Sequence, residues 1–250
     1  MRVGLLSDVH ANLQALEAVL AAIDTNVHAD ALWVTGDTVG YGADPSDVLA
    51  LLRERGAVLV QGNHDLAVAT GEGLDWFHER AAEAARMHTQ WLSAEERDFL
   101  AGLPLTPTIE RFTLCHGSVR DPLWEYVTTA SAAAASLEQA TTPFACNGHT
   151  HVPALYVEEH GDVRVTPPRT GVPHPLTPRA MLNPGSVGQP RDGDPRAAYA
   201  VLDTEGGTAT FYRASYAVRE AQRRIRARGL PESTLLHRLG PDELRKPAET

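Results

Sequence analysis

The sequence predicts an α/β fold formed as one domain over residues 1–250, and three observations favour it. Apolar runs of strand length alternate with segments whose apolar residues recur at helical spacing. Side chains that bind metals follow several of the strand-like runs, at the point where each run ends. After about residue 150, short strand pairs joined by turns add antiparallel strands. At 250 residues and 43% hydrophobic, the chain is long enough to bury a large core.

The first 60 residues contain three strands and two helices. Residues 2–6 form a nearly continuous apolar run, as expected for a strand covered on both faces. A helix is predicted over 11–24, a second strand over 31–35, a short helix over 45–55 and a third strand over 57–60. Strands and helices that alternate at this spacing predict parallel βαβ units, with functional loops at the carboxyl ends of the strands.

A helical insertion is predicted over about 66–103. Within it, Ser93 and Glu96 have the spacing of a capping box, which starts a further helix that runs to Leu103. His88 lies on the apolar stripe of this segment. We interpret it as a hydrogen-bonded core histidine and not as a member of the site.

The remaining elements alternate between strands, helices and turns. In order, the sequence predicts a strand at 108–115, a helix at 130–140, a strand at 144–147, a hairpin over 154–166, a proline-rich loop or crossover at 167–178, a hairpin over 198–212 and a helix at 216–228. Five arginines in the last helix are expected to form a solvated basic face. The tail from about residue 241 is charged and expected to fray.

Charge and composition limit the partners. The net charge of -10 argues against a long nucleic-acid substrate, but bound divalent cations would still permit a small anionic one. No apolar run approaches the ~20 residues that cross a bilayer, so no membrane contact is expected. Cys115 and Cys146 are expected to be buried thiols in a reducing compartment, and the predicted location is the cytoplasm. The sequence specifies no oligomeric state.

Eight residues of metal-binding type follow the strand-like runs: Asp8, His10, Asp37, Asn63, His64, His116, His149 and His151. Strand periodicity would place Asp8 and His10 on one side of the chain, and His149 and His151 likewise. Imidazole and hard oxygen ligands without thiolates suit first-row divalent ions. The set is too large for one ion and suits two, which can together activate water and polarise a phosphoryl oxygen. His64 and its neighbour Asp65 are the catalytic candidates, since His64 could protonate a leaving group if Asp65 or another acceptor orients its ring.

These residues fall into five short blocks: Asp8-Val9-His10, Gly36-Asp37, Gly62-Asn63-His64-Asp65, His116-Gly117 and Gly148-His149-Thr150-His151. In order and approximate spacing they resemble the calcineurin-like metallophosphoesterases, over about residues 1–215. The resemblance implies a four-layer α-β-β-α sandwich with two mixed β-sheets flanked by helices. It implies that one ion is held by Asp8, His10, Asp37 and His151, and the other by Asp37, Asn63, His116 and His149. Asp37 would bridge the ions, His64 would be the general acid, and a metal-bridging hydroxide the nucleophile.

Within that family, the chain looks like the small bacterial phosphodiesterase branch. Protein phosphatases and dinucleoside tetraphosphatases of the family usually carry Asp-Arg-Gly after the bridging aspartate and a glutamate after Asn-His. This chain has Gly40-Tyr41-Gly42 and Asp65 there, and the segments Asn183-Pro184-Gly185-Ser186 and Pro190-Arg191 later on. Asn12, Tyr41 and Arg191 are candidate substrate contacts, or supports for their own loops.

The function predicted is a phosphodiesterase that acts on small nucleotide-like phosphate esters. The alternatives are a phosphomonoesterase or protein phosphatase, a dinucleoside polyphosphate hydrolase, and a non-catalytic metal-binding scaffold. A scaffold would be expected to lose His64, and its presence argues against that alternative. A nuclease that acts on long DNA would need a basic surface, and the net charge of -10 argues against it. The expected cofactors are two divalent metal ions, with Mn favoured over Fe, Zn, Ni or Mg.

Overall fold

The structure, a computed structural model, describes residues 1–231. Its strands are β1 (Arg2–Leu6), β2 (Ala31–Val34), β3 (Val58–Leu59), β4 (Thr108–Ile109), β5 (Phe112–Leu114), β6 (Phe144–Cys146), β7 (Ala154–Glu159), β8 (Asp162–Thr166), β9 (Pro173–Pro175), β10 (Ala180–Asn183), β11 (Ala197–Asp203) and β12 (Thr208–Ala214). Its α-helices are α1 (Leu13–Asn26), α2 (Pro45–Glu54), α3 (Asn63–Thr70), α4 (Glu79–Trp91), α5 (Ala94–Ala101), α6 (Ala130–Gln139) and α7 (Val218–Ala227), with a 3-10 helix at Leu74–Trp76.

The strands form two mixed sheets of six. The first has the order β3-β2-β1-β11-β12-β9, in which β1, β2 and β3 are parallel and the other pairs antiparallel. The second has the order β4-β5-β6-β10-β7-β8, in which β5, β6 and β10 are parallel. Each sheet therefore contains a parallel group of three strands, and these groups supply the loops of the site.

Hydrophobic packing arranges the sheets and helices in four layers. Between the sheets, Trp33 of the first sheet packs edge-on against Phe112 of the second, and Phe144 lies beside Phe112. Helices α1 and α2 cover the outer face of the first sheet, and α6 covers the outer face of the second. The predicted four-layer α-β-β-α sandwich is therefore confirmed.

Residues 66–103 are largely helical, as predicted, but the first helix of this segment starts earlier. Helix α3 begins at Asn63, so the polar residues after β3 lie in a first helical turn and not in a loop. The capping box of α5 is present: the Ser93 hydroxyl accepts from the Glu96 amide at 3.2 Å, and the Glu96 carboxylate accepts from the Ser93 amide at 2.8 Å.

Two regions differ from the expected pattern. Residues 108–115 are not one strand, because Glu110 has a φ of 51° and turns the chain so that β4 pairs antiparallel with β5. The proline-rich segment 167–178 contains the short strand β9, which pairs with β12. Its flanking residues Pro173 and Pro175 are tolerated because β9 is an edge strand, where missing backbone donors cost little.

Helix α7 is mostly the solvated basic element expected, with one exception. Arg224 is only half-exposed, and its guanidinium binds the buried carboxylate of Asp44. The charged tail predicted from residue 241 lies outside the described residues. Within residues 1–231, no helix is both long and apolar enough to cross a membrane.

Candidate metal centre

The carboxyl ends of the parallel strands in both sheets meet at one edge of the sandwich, and the metal-type residues meet there. Two buried groups have ligand atoms within 4.8 Å of one another: Asp8, His10, Asp37 and His151 in the first group, and Asp37, His116 and His149 in the second. Asn63 joins the second group, with its side-chain oxygen 3.0 Å from His116 Nε2. Asp37 belongs to both groups, as a bridging ligand must.

The backbone that presents these residues is turned into the left-handed region. Five of the ligand residues have positive φ values between 49° and 68°: Asp8, His10, Asp37, His149 and His151. Such conformations cost on the order of 1–3 kcal/mol each and concentrate at functional sites. As expected, Asp8 and His10 lie close together, as do His149 and His151. The expected reason, the two-residue repeat of a strand, is wrong. Strand β1 already ends at Leu6, and a left-handed loop aims Asp8 and His10.

The loops after β1 and β2 run side by side and hold each other in place. The amides of Asp8 and His10 donate to the carbonyls of Gly36 and Asp37 at 3.0 Å. The Asp8 carboxylate also accepts from the His149 amide, at 3.1 and 3.2 Å. Ligands from distant parts of the chain therefore share one hydrogen-bonded framework, which fixes their spacing before an ion binds.

The histidines of the first group are arranged for a cation. The Nδ1 atoms of His10 and His151 lie 3.0 and 2.6 Å from the carbonyls of Val39 and Gln189, so each Nδ1 must be the protonated nitrogen. Their Nε2 atoms then carry lone pairs, and these face each other at 3.1 Å. Neither nitrogen can donate to the other in the neutral rings. A cation between them removes the repulsion, which fits a divalent metal.

The second group has the same character. His116 Nδ1 lies 2.9 Å from the Thr35 carbonyl and donates to it, so its Nε2 faces the group and presents a lone pair only when the ring is neutral. That Nε2 is 3.3 Å from Asp37 Oδ2 and 3.0 Å from His149 Nδ1. Burial lowers the pKa of His116, but the charge and hydrogen bond of Asp37, the charge of Asp8 and the Thr35 carbonyl together raise it to about 9. The cluster thus attracts positive charge. Imidazole and hard oxygen donors without thiolate fit Mn, Fe or Zn.

Two glycines allow the loops to approach this closely. A Cβ at Gly62 would lie 2.1 Å from Asp37 Oδ1, and a Cβ at Gly148 would lie 2.7 Å from Asp8 Oδ2. Real Cβ atoms essentially never approach other atoms below 3.0 Å, so a side chain at either position would displace a ligand.

Asp65 does not orient the His64 ring, which corrects the sequence-based expectation for that contact. One carboxylate oxygen of Asp65 accepts from the amides of Thr38 and Val39 and from the Thr38 hydroxyl, at 2.9, 3.1 and 2.6 Å. The other accepts from the Gly62 amide at 3.0 Å. Asp65 therefore fixes the loop that follows Asp37, because backbone amides occupy its oxygens.

His64 lies beside both metal groups. Its backbone amide donates to Asp37 Oδ1 at 2.9 Å, and its ring is 4.9 Å from the His10 ring. The rings of Tyr41 and Phe77 lie 4.6 and 4.4 Å away. Its Nδ1 is buried without a hydrogen-bond partner. Burial lowers the pKa of His64 to about 4, although the charge of Asp37 acts in the opposite direction.

The three candidate substrate contacts have different surroundings. Asn12 caps α1 by accepting from the Ala15 amide at 3.2 Å, and it donates to the Gly188 carbonyl at 3.0 Å, so it supports its loop. Tyr41 packs edge-on against His10 at 4.7 Å. Arg191 donates to the Gln189 side chain at 3.0 Å, yet its Nε is buried without a hydrogen-bond partner.

His88 is buried and hydrogen-bonded, as the sequence indicates, but it also supports the site. Its Nδ1 accepts from the Gly40 amide at 3.1 Å, and its Nε2 lies 2.8 Å from the Gly42 carbonyl. The segment between these glycines packs on His64, since a Cβ at Gly40 would lie 2.3 Å from His64 Nδ1.

Phe77 and Tyr126 contact His64 and His149 but are not among the residues that the sequence marks as candidates for the site. In the sequence each is only an aromatic residue in a short segment between predicted elements, and such residues are too common to indicate a site.

The four-layer fold and the paired metal groups define a metal-dependent phosphoesterase. The chain belongs to the calcineurin-like phosphoesterase superfamily, whose domain model matches residues 1–207. It is therefore a hydrolase that acts on phosphoester bonds.

Several relatives agree with this placement. A metallophosphoesterase from Sphaerobacter thermophilus is similar in structure, with a TM-score of 0.84 and 39% identity over 94% of this chain and 98% of that one. An uncharacterized protein of Methanocaldococcus jannaschii is 32% identical over 92% of this chain and 94% of its own length. A symmetrical bis(5'-nucleosyl)-tetraphosphatase of Erwinia tasmaniensis is 32% identical over 145 residues, which cover 54% of this chain and 50% of that protein.

Proposed function

We propose that the protein is a phosphodiesterase that hydrolyses small nucleotide-like diesters with two divalent ions, of which Mn is favoured. The observation that carries this proposal is the pair of buried ligand groups that share Asp37, with His64 beside them. Two divalent ions held by these groups would supply a nucleophile from water near neutral pH and would stabilise charge on the phosphoryl oxygens. The buried thiols Cys115 and Cys146 support a reducing location such as the cytoplasm.

Each of the two buried groups of side chains is proposed to hold one ion. Asp8, His10, Asp37 and His151 would hold one ion, and Asp37, Asn63, His116 and His149 would hold the other. The carbonyls beside His10 and His151 hold the proton on Nδ1 and leave Nε2 unprotonated, so these two histidines can bind an ion without releasing a proton.

His64 is the proposed general acid for the leaving oxygen. It lies against His10 and donates its backbone amide to Asp37, which places its ring next to both ligand groups. A negatively charged phosphate nearby favours the imidazolium form, which opposes the effect of burial on the pKa of His64. Loss of a general acid typically costs 10²–10⁴-fold in rate.

Arg191 is the proposed contact for a phosphate oxygen. Its positive charge lowers the pKa values of His64 and His151, so its guanidinium lies near both. Its buried Nε lacks a partner that an anionic substrate would supply. It would replace the arginine that other branches carry where this chain has Gly40-Tyr41-Gly42.

A second candidate is hydrolysis of dinucleoside polyphosphates. It is favoured by the partial match to the tetraphosphatase of Erwinia tasmaniensis, and by a 64-residue match at 45% identity to the same kind of enzyme in Pectobacterium carotovorum. These matches span half or less of those proteins, so we prefer phosphodiesterase to dinucleoside polyphosphate hydrolase as the function of the whole chain.

The test uses metal-stripped protein with Mn, Mg and Zn added back in turn. The substrates are bis-p-nitrophenyl phosphate as diester, p-nitrophenyl phosphate as monoester and diadenosine tetraphosphate. We expect Mn-dependent turnover with preference for the diester. Preference for the tetraphosphate would select the second candidate, and absence of hydrolysis with every metal would refute both.

Two histidine variants make a matched pair for the role of His64. His64→Asn should retain the wild-type metal content but lose roughly 100-fold or more in kcat, because the proton donor is gone. His160→Asn should match wild type, since His160 is exposed in the turn between β7 and β8. Full activity in His64→Asn would contradict the assignment.

A further inference from the structure

Four aromatic side chains, two of which contact the metal centre, have no part in the proposed reaction. We call them the aromatic rim: Trp76, Phe77, Trp124 and Tyr126. They come from two segments, one at the 3-10 helix after α3 and the other in the chain between β5 and α6. Both segments contact the site, because Phe77 contacts His64 and Tyr126 contacts His149 of the second ligand group.

Three of the rings form a continuous row that starts at the site. The centroid of Phe77 lies 4.4 Å from that of His64, Trp124 follows at 6.0 Å from Phe77, and Trp76 at 4.6 Å from Trp124. All three separations lie close to the range of direct aromatic contact. The row therefore leads from the proposed general acid to the protein surface.

Tyr126 connects the rim to the second metal group and to Arg191. Its ring stacks on His149 with a centroid distance of 3.8 Å and an interplanar angle of 24°. Burial raises the pKa of the Tyr126 hydroxyl overall, although the Arg191 guanidinium is close enough for its charge to lower that pKa. A group bound against Tyr126 would therefore lie next to both a metal ligand and the proposed phosphate contact.

The rim leaves aromatic surface open to solvent. Trp76 is 70% exposed and Tyr126 is 52% exposed. Within residues 1–231 they are the two most exposed large hydrophobic side chains, and both belong to the rim. Scattered exposed apolar residues are ordinary, but exposed aromatic rings grouped beside a reactive centre indicate a binding surface.

The segments that carry the rim are held in place before a ligand arrives. Gly73 has a φ of 77°, and a Cβ there would lie 2.5 Å from the Trp124 ring, so a glycine lets the two segments pack together. On the other side of Trp124, the Glu125 carboxylate accepts from the Ser118 hydroxyl at 2.5 Å and from Arg120 Nε at 2.7 Å. Preorganised surfaces of this kind lower the entropic cost of binding.

We propose that the aromatic rim binds the nucleobase of a nucleotide ester whose phosphate occupies the metal centre, by stacking on Trp76. Stacking on an aromatic side chain accepts any base, since every base has a π-face. A net charge of -10 disfavours the backbone of a long nucleic acid, so a small nucleotide fits this surface better than a polynucleotide. This inference names the substrate class of the proposed phosphodiesterase and rests on that function.

The experiment measures the contribution of the base directly. The reporter reaction is hydrolysis of methyl p-nitrophenyl phosphate by the Mn-loaded protein, inhibited by either adenosine 5'-monophosphate or ribose 5-phosphate. The two inhibitors share the ribose and phosphate and differ at the anomeric carbon, which carries adenine in the first and a hydroxyl in the second. Wild type should bind the nucleotide roughly 5- to 150-fold more tightly, the range expected for one stacked base.

Three variants assign that preference to the rim. Trp76→Ala should reduce the preference at least fivefold, while Trp76→Phe should keep most of it because a π-face remains. Val165→Ala removes a different exposed hydrophobic side chain, on β8, and should leave the preference unchanged. Unchanged preference in Trp76→Ala would overturn the inference.

A second readout separates this inference from the proposed function. The nucleotide should quench tryptophan fluorescence in wild type, ribose 5-phosphate should not, and Trp76→Phe should show less quenching. Quenching without hydrolysis would refute the phosphodiesterase and retain the rim as a base-binding surface. Hydrolysis with equal inhibition by the two ligands would refute the rim and leave the phosphodiesterase intact.

Discussion

One added methyl group at Gly62 should disable the metal centre. The Cβ of Gly62→Ala would lie 2.1 Å from Asp37 Oδ1 and 2.3 Å from the Asp37 amide nitrogen, whereas ordinary contact begins at 3.4 Å. The shared carboxylate must therefore retreat by more than 1 Å. Displacements of ~1 Å at a reacting centre cost on the order of 100-fold in rate. Because Asp37 belongs to both ligand groups, both ions should bind more weakly.

The variant isolates this steric effect from backbone strain. Gly62 has a φ of -96°, which alanine adopts freely, and overpacking typically costs about 1–3 kcal/mol of stability, which a folded domain tolerates. Gly102→Ala is the matched control, since Gly102 has a φ of -85° and its added Cβ would meet nothing nearer than 3.4 Å.

Metal analysis and kcat/KM are measured for both glycine variants, with circular dichroism to verify folding. We expect Gly62→Ala to lose bound metal and at least 100-fold in kcat/KM, and Gly102→Ala to match wild type. Two ions per chain and turnover within threefold of wild type in Gly62→Ala would refute the reasoning.

Two further predictions concern stability. Burial lowers the pKa of His88 to about 4, so the folded protein binds this proton less readily than the unfolded chain does. The free energies of unfolding of wild type and His88→Gln are therefore compared by urea titration in the presence of a chelator. The excess stability of wild type should be constant above pH 6.5 and should fall by about 3 kcal/mol on acidification to pH 4. A constant advantage across that range would contradict the assigned shift. Arg224→Ala should cost about 2 kcal/mol or more, because it leaves the buried Asp44 carboxylate without its cation. Arg223→Ala, which breaks an exposed pair with Glu220, should cost clearly less than Arg224→Ala, and equal losses would count against the buried pair.

Much of the fold and the ligand set could be predicted because the signals are local in the sequence. Apolar runs mark β1 and β2, and the polar residues that follow them include Asp8 and Asp37. Parallel strands deliver such residues to one edge, so order along the chain translates into proximity in space.

The features that sequence analysis missed depend on contacts between distant segments. The histidine tautomers are set by backbone carbonyls, and every residue has a carbonyl, so Thr35 or Val39 carries no identifying mark. The role of Asp65 depends on where the Thr38 amide lies, and the left-handed turns after the strands depend on the packing of neighbouring loops. Strand β9 forms because it pairs with β12 at the edge of the first sheet, although the sequence of β9 is rich in proline.

The central claim is that Asp37 joins two ions in one centre. Metal-stripped protein is titrated with Mn(II) and followed by electron paramagnetic resonance, beside bis-p-nitrophenyl phosphate hydrolysis on the same samples. Wild type should bind two ions per chain with an exchange-coupled signal that rises together with activity. In Asp37→Asn the coupling and the activity should be lost together. Full diester turnover with one bound ion, or with two uncoupled ions, would contradict the account.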